Sequence, residues 1–171
     1  FRVETNKNET PFKFEQGTLS NPALASLGAA LRYLHWLADE IDPEAPPEDR
    51  PAKFRRAMSA IAAYEQEISR TVLEGFSRFD RERWTGYGLE NPADCGRRDP
   101  TFAFEIAGLG AEEVKQSLWE RGRIQIAGGN HYSAVFYRHL KKDSVCRASF
   151  AHYISLEEVR VFLETLENLL R

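Results

Sequence analysis

Residues 101–171 alternate between two hydrophobic periods, and that alternation limits the fold more than any other feature of the chain. Thr101-Phe102-Ala103-Phe104-Glu105-Ile106 is rich in β-branched and aromatic residues and sets apolar side chains at every second position, as in a strand with one buried face. Gly110 to Glu120 reads as a short helix, with Gly122 placed to end it. Arg123 to Ala127 reads as a strand, Gly128-Gly129-Asn130 as a turn, and Val145 to Phe150 as a further strand. Ser155 and Glu158 make a capping box, after which Val159, Phe162, Leu163, Leu166 and Leu170 share one helical face. The order strand, helix, strand, loop, strand, helix implies a small, mostly antiparallel sheet packed with helices, an α+β arrangement.

Two long helices precede this region. Residues 1–13 read as an extended lead-in, with Asn21 and Pro22 as N-cap and first residue of a helix. Leu24, Leu27, Leu31, Leu34, Leu37 and Ile41 recur every three or four positions along it. A proline-rich, acidic connection from Asp42 to Pro51 separates it from a second helix, Pro51 to Phe76, with Phe54, Met58, Ile61, Ile68, Val72 and Phe76 on its buried stripe. Arg78 to Arg98 reads as a loop with a short strand near Thr85-Gly86-Tyr87. The expected division is a lead-in and linking helix over residues 1–50 and a C-terminal domain over 51–171.

Composition excludes several functions. A chain of 171 residues, 42% hydrophobic and 29% charged, supports one ordinary globular core. A net charge of −3 with scattered basic residues gives no footprint for nucleic acid, and no apolar run approaches the about 20 residues that span a bilayer. The first residues are polar, with no signal-peptide core, and Cys95 and Cys146 make no disulfide framework, so a cytoplasmic setting is expected. The chain starts on Phe1 rather than Met, which suggests a piece of a longer protein.

Few groups are placed for chemistry. Gly17-Thr18 stands before a helix start, where backbone N–H groups and a hydroxyl suit an anion such as phosphate; such a pair also serves as an ordinary turn. Arg147 lies within an apolar strand pattern and reads as buried, which requires an anionic partner. Glu157 or Glu158 would supply one as a structural salt bridge. His35, His139 and His152 do not cluster with acids at metal-binding spacing; His35 is set in a helix, His139 in a charged loop and His152 after a strand. No Gly-x-Ser-x-Gly or Walker-type loop is present, and Trp36, Trp84 and Trp119 read as packing residues in helix or loop settings.

Two windows together resemble the C-terminal third of the class V aminotransferases, the pyridoxal-phosphate family that includes the cysteine desulfurases. They are Phe12 to Asn21, with Phe14-Glu15-Gln16-Gly17-Thr18, and Val145 to Tyr153, with Cys146-Arg147-Ala148-Ser149. The resemblance covers roughly residues 10–40 and 100–171. It implies that Gly17 and Thr18 reach the cofactor phosphate of a partner subunit and that Arg147 binds the substrate α-carboxylate through a bidentate fork. It implies further that Asn130, His131 and Tyr132 line the substrate site, with His131 equally readable as a surface histidine.

Two departures qualify that resemblance. Where many desulfurases read Arg-x-Gly-His-His-Cys, this chain has Ala127, Asn130, His131 and Tyr132 at the arginine, histidine and cysteine positions, so the persulfide thiolate has no counterpart. None of the six lysines, Lys7, Lys13, Lys53, Lys115, Lys141 and Lys142, has the Ser/Thr- and His-rich context in which the family sets its Schiff-base lysine ahead of the Gly-Thr segment.

The expectation is therefore the small C-terminal domain of a fold-type-I enzyme, preceded by a long helix. It would be inactive alone, without covalently bound pyridoxal 5'-phosphate, and would function in a homodimer once joined to a missing large domain. The parent would act on an amino acid as a C–S lyase or with an aminotransferase-like outcome. The alternatives are a stand-alone dimerisation or partner-binding domain, and a true desulfurase using another cysteine. For the latter, Cys95 would sit on a polar loop with Arg97 and Arg98 lowering its pKa.

Overall fold

The computed structural model describes residues 7–15, 17–45 and 49–171. Gln16, the N-terminal end of the lead-in and the middle of the proline-rich connection lie outside the described residues. The chain divides into two compact units, Phe1–Ala60 and Ile61–Arg171.

In the first unit the described lead-in is turned rather than extended, with Lys13 N–H donating to Glu9 O at 2.9 Å and Phe14 N–H to Pro11 O at 2.9 Å. Helix α1 (Asn21–Ile41) begins one residue earlier than its sequence signal, with Ser20 as N-cap making no side-chain capping bond and Pro22 in the first turn. Its apolar stripe is largely exposed at Leu24, Leu27, Leu31 and Ile41, and so is Trp36. Helix α2 (Arg50–Phe76) starts in this unit, where Phe54 and Met58 also stay partly exposed and Lys53 pairs with Asp39 at 2.6 Å.

The second unit holds the main core. Strands β1 (Trp84–Tyr87), β2 (Thr101–Ile106), β3 (Ala127–Gly129) and β4 (Val145–Ser149) form an antiparallel sheet in the order β1-β2-β4-β3. Strand alternation sends Phe102, Phe104 and Ile106 of β2, and Cys146 and Ala148 of β4, into the apolar core. There they join Ile68, Val72 and Phe76 of α2, Val114 and Leu118 of α3 (Ala111–Gly122), and the inner face of α5 (Leu156–Leu170). Phe104 stacks on Trp84 with centroids 4.7 Å apart and meets Phe162 edge-on at 6.5 Å. Trp84 is thus a buried strand residue, whereas Trp119 is half exposed beneath the Arg123 guanidinium.

Side chains close the helix ends. Ser155 Oγ accepts from Glu158 N–H at 3.2 Å while the Glu158 carboxylate accepts from Ser155 N–H at 2.8 Å, the reciprocal capping box expected. At the other end of α5 the Arg83 guanidinium donates to the carbonyls of Leu169 and Leu170, supplying positive charge where the helix dipole is negative. Tyr64 donates to Ile154 O at 2.9 Å and ties α2 to the turn before α5.

The local reading differs from the structure around β3. Gly122 is the last residue of α3, and the left-handed position falls at Arg123 (φ 54°). Glycine at 122 serves packing instead: a Cβ there would lie 2.7 Å from Ile124 Cδ1 and 3.0 Å from Thr165 Oγ1 of α5. Ile124 N–H and Arg123 N–H turn back onto Leu118 O and Trp119 O, so pairing starts only at Ala127 rather than running from Arg123. Gly128 and Gly129 are strand residues, and Gly128 lets β3 approach α3, since a Cβ there would meet Ala111 O at 3.3 Å. The stretch expected as a charged loop contains helix α4 (Ala134–Leu140), which carries His139.

Replacing Phe104 with Ala removes a fully buried ring from the centre of this core. It should cost about 3–5 kcal/mol of unfolding free energy, read as a lowered urea midpoint.

Candidate functional site

Arg147 and Ser149 fall on the β4 face opposite Cys146 and Ala148, so Arg147 is exposed rather than buried. The expected salt bridge with α5 does not form. Glu157 pairs with Arg160 at 3.0 Å, and Glu158 is engaged by Ser155, whose backbone N–H, more than its hydroxyl, holds the carboxyl below its ordinary range. Arg147 stands opposite Ala103 on one side and Ala127 on the other. Two methyl side chains thus flank the guanidinium and leave room around it. Among the described residues it makes no hydrogen bond or ion pair.

One end of this face is covered by α4 and the turn before it. Val145, on the same face as Arg147, is buried there, as is Tyr137 of α4. Burial raises the Tyr137 pKa, while the positive charge of Arg147 pulls it back down. Two residues further along β2 from Ala103, Glu105 accepts a short hydrogen bond from the Tyr87 hydroxyl of β1 and pairs with Lys142 Nζ at 3.0 Å. Burial, reinforced by this hydrogen bond to a carboxylate, pushes the Tyr87 phenol up to about 12. Tyr87 therefore stays protonated, and remains a donor, throughout the neutral range.

Asn130, His131 and Tyr132 form the turn between β3 and α4. Asn130 Oδ1 accepts from Tyr132 N–H at 3.1 Å, and His131 (φ 48°) and Tyr132 (φ 60°) are both left-handed. The turn separates the two side chains. His131 lies against the Tyr137 ring with centroids 6.1 Å apart, and its Nε2 is 3.1 Å from Val145 O. A carbonyl only accepts, so Nε2 is the donor in this contact. Tyr132 is fully exposed.

Both thiols are withdrawn from solvent. Cys95 belongs to a short 3-10 helix (Pro92–Arg97), where it is buried, 3.5 Å from Arg70 Nη2, and is not on an open loop. Arg97 is engaged by Asp94 and Arg98 by the carbonyls of Leu89 and Thr101. Cys146 donates to Ala111 O at 3.7 Å, and burial pushes its thiol up to about 12.

Gly17 and Thr18 belong to the first unit. Gly17 is left-handed at φ 71°, with nothing within 4 Å of a Cβ added there, and Thr18 is exposed. Helix α1 starts at Asn21, four residues after Gly17 in sequence, and its first-turn N–H groups receive no side-chain oxygen from the N-cap Ser20. An exposed hydroxyl, an unobstructed glycine and uncapped N–H groups fit an anionic phosphate. Among the described residues no group of His, Cys, Asp and Glu is arranged to hold a metal ion.

Sequence reasoning singled out Arg147 and did not point to Tyr87, Glu105, Lys142 or Tyr137 around it. The alternation of Thr101–Ile106 already assigns Ala103 and Glu105 to one face. What it lacks is the pairing partner that makes that face the face of Arg147.

Comparison with known proteins supplies context. The family model described as aminotransferase class-V matches residues 54–162. A probable cysteine desulfurase of Synechocystis sp. is 29% identical over 163 residues, covering 95% of this chain and 33% of that protein. Probable cysteine desulfurase 2 of Mycobacterium leprae is 28% identical over 149 residues, covering 87% of this chain and 30% of that protein. The chain thus spans about a third of the length of these curated relatives. Among solved structures, the apo cysteine desulfurase of Thermococcus onnurineus NA1 matches with a TM-score of 0.73 at 25% identity, over 94% of this chain and 34% of that one. The Escherichia coli cysteine desulfurase CsdA matches with a TM-score of 0.64 at 21% identity, over 94% of this chain and 34% of that one, a likeness of fold alone.

At pH 8 only about one in ten thousand Cys146 thiols is ionised, given its pKa of about 12. Because both thiols are also buried, native protein should take up iodoacetamide far more slowly than urea-unfolded protein at both cysteines, read by mass spectrometry of peptides. Rapid native labelling of Cys95 would contradict its burial.

Proposed function

Because this chain belongs to the class V aminotransferase family, we propose that it is the C-terminal part of a pyridoxal-phosphate enzyme that acts on an amino acid. The observation that carries this reading is Arg147: an exposed residue between two alanines, with no carboxylate paired to it among the described residues. A planar fork so placed binds a carboxylate through two parallel N–H···O bonds and orients it as well as attracting it. His131, held by Val145 O, lies against Tyr137, the phenol on which the Arg147 charge acts. Gly17 and Thr18 would hold the cofactor phosphate through backbone N–H and hydroxyl donors, in a partner subunit of a cytoplasmic homodimer. Pyridoxal phosphate, when bound, supplies an electron sink for the pair left as a bond at the amino acid's Cα breaks. The Schiff-base lysine belongs to a large domain outside this sequence, and this chain alone is inactive.

A C–S lyase or aminotransferase-like outcome fits better than persulfide transfer. Tyr132 has no sulfur to carry, and Cys95 and Cys146 are both buried. Sulfur would then leave a cysteine substrate by elimination, giving sulfide, pyruvate and ammonia overall from cysteine and water. The names of the relatives support the second reading, a desulfurase that uses another thiol.

In the full-length protein, Arg147→Lys should raise the half-saturating amino-acid concentration about tenfold while leaving the melting temperature unchanged. A lowered melting temperature with unchanged saturation would assign Arg147 to stability instead. Thr18→Ala should weaken pyridoxal-phosphate binding, measured by equilibrium dialysis. After turnover with cysteine, mass spectrometry should find no added sulfur on Cys95 or Cys146; an added sulfur atom there would establish the desulfurase reading.

A further inference from the structure

The open face of the sheet carries an acid close enough to disable Arg147, and a base that occupies it. In the antiparallel register Arg147 is opposite Ala103, which makes Glu105 its diagonal neighbour on the same face. Diagonal neighbours on a sheet stand about 7–8 Å apart, within reach of side chains as long as arginine and glutamate. Both charges act on Tyr137, which places them around one hydroxyl. Yet Glu105 does not pair with Arg147. Its carboxylate is taken by Lys142 Nζ at 3.0 Å and by the Tyr87 hydroxyl.

Lys142 is delivered to this place by the backbone. Left-handed Lys141 (φ 56°) ends α4, and Lys142 N–H then donates to Tyr137 O at 3.0 Å. The pair it makes with Glu105 is partly solvated, and such pairs contribute little to stability. Its consequence is electrostatic and local.

We propose that Lys142 is a positioning residue: by holding Glu105 it keeps that carboxylate off Arg147 and leaves the guanidinium free for the carboxylate of an amino-acid substrate. This rests on the reading of Arg147 given above. Without Lys142, Glu105 competes intramolecularly with the substrate for the same fork. Tyr87 alone neutralises no charge and does not prevent this.

The test uses full-length protein and two probes, L-cysteine and cysteamine, which differ only by the carboxylate. Lys142→Met should raise the half-saturating concentration of L-cysteine about tenfold, the scale of a lost charge-assisted interaction, and leave that of cysteamine unchanged. Adding Glu105→Gln should restore L-cysteine binding, because the competing charge is gone while the side chain keeps its shape. A structural role for Lys142 predicts instead that both probes weaken together and that Glu105→Gln gives no rescue; either result overturns the proposal. Arg147→Met is measured alongside. If it discriminates the probes while Lys142→Met does not, only this inference fails. If Arg147→Met does not discriminate them, the carboxylate-binding reading fails, and this inference with it.

Discussion

The antiparallel register between β2 and β4 is the constraint on which the second unit depends. Four residue pairs, from Thr101↔Ser149 to Phe104↔Cys146, fix which side chains enter the core and which meet solvent. With that register, Phe102, Phe104, Cys146 and Ala148 bury together against α2, α3 and α5. The same register places Ala103 beside Arg147 and Glu105 one diagonal away. A slip by one residue would send the phenylalanines into water and the charges into the apolar layer. Core and candidate site are therefore two faces of one pairing, and neither can change register without the other.

The helical layer stabilises that sheet and leaves the opposite face available. Phe76, Phe104, Phe150, Phe162 and Trp84 form one aromatic cluster on the helix side, so apolar burial is concentrated there. On the far side small residues, Ala103 and Ala127, alternate with polar ones. Among the described residues α4 and the turn before it cover that face at its Val145 end. The result is a surface where a charged fork is held by a rigid strand instead of a loop, which limits its freedom before any ligand arrives.

Much of the fold could be read locally because its signals are local. Strand β2 was legible from alternating aromatics, and α5 from Ser155, Glu158 and a regular apolar stripe. The sequence misled where long-range contact decides. Gly122 looked like a terminator, but Ile124 together with Thr165 of α5 crowds out a side chain there. Gly128-Gly129 looked like a turn, whereas the nearness of α3 makes a glycine strand workable. Arg147 looked buried because Val145, Cys146 and Ala148 surround it in sequence; in space it stands on the other face. The Tyr87–Glu105–Lys142 group was invisible, since its members come from three separate segments.

The paired left-handed residues His131 and Tyr132 separate presentation from chemistry. Asn130 Oδ1 and the His131–Val145 bond hold the backbone of this turn, and the Tyr132 side chain takes no part in either. What hangs at position 132 is thus a socket whose occupant can be exchanged while the frame stays put, provided the newcomer tolerates the left-handed backbone there. Variation at that point changes which atoms meet an incoming molecule and leaves folding almost untouched. Within one architecture, such a socket lets a change of side chain alter the chemistry on offer without altering the shape that offers it.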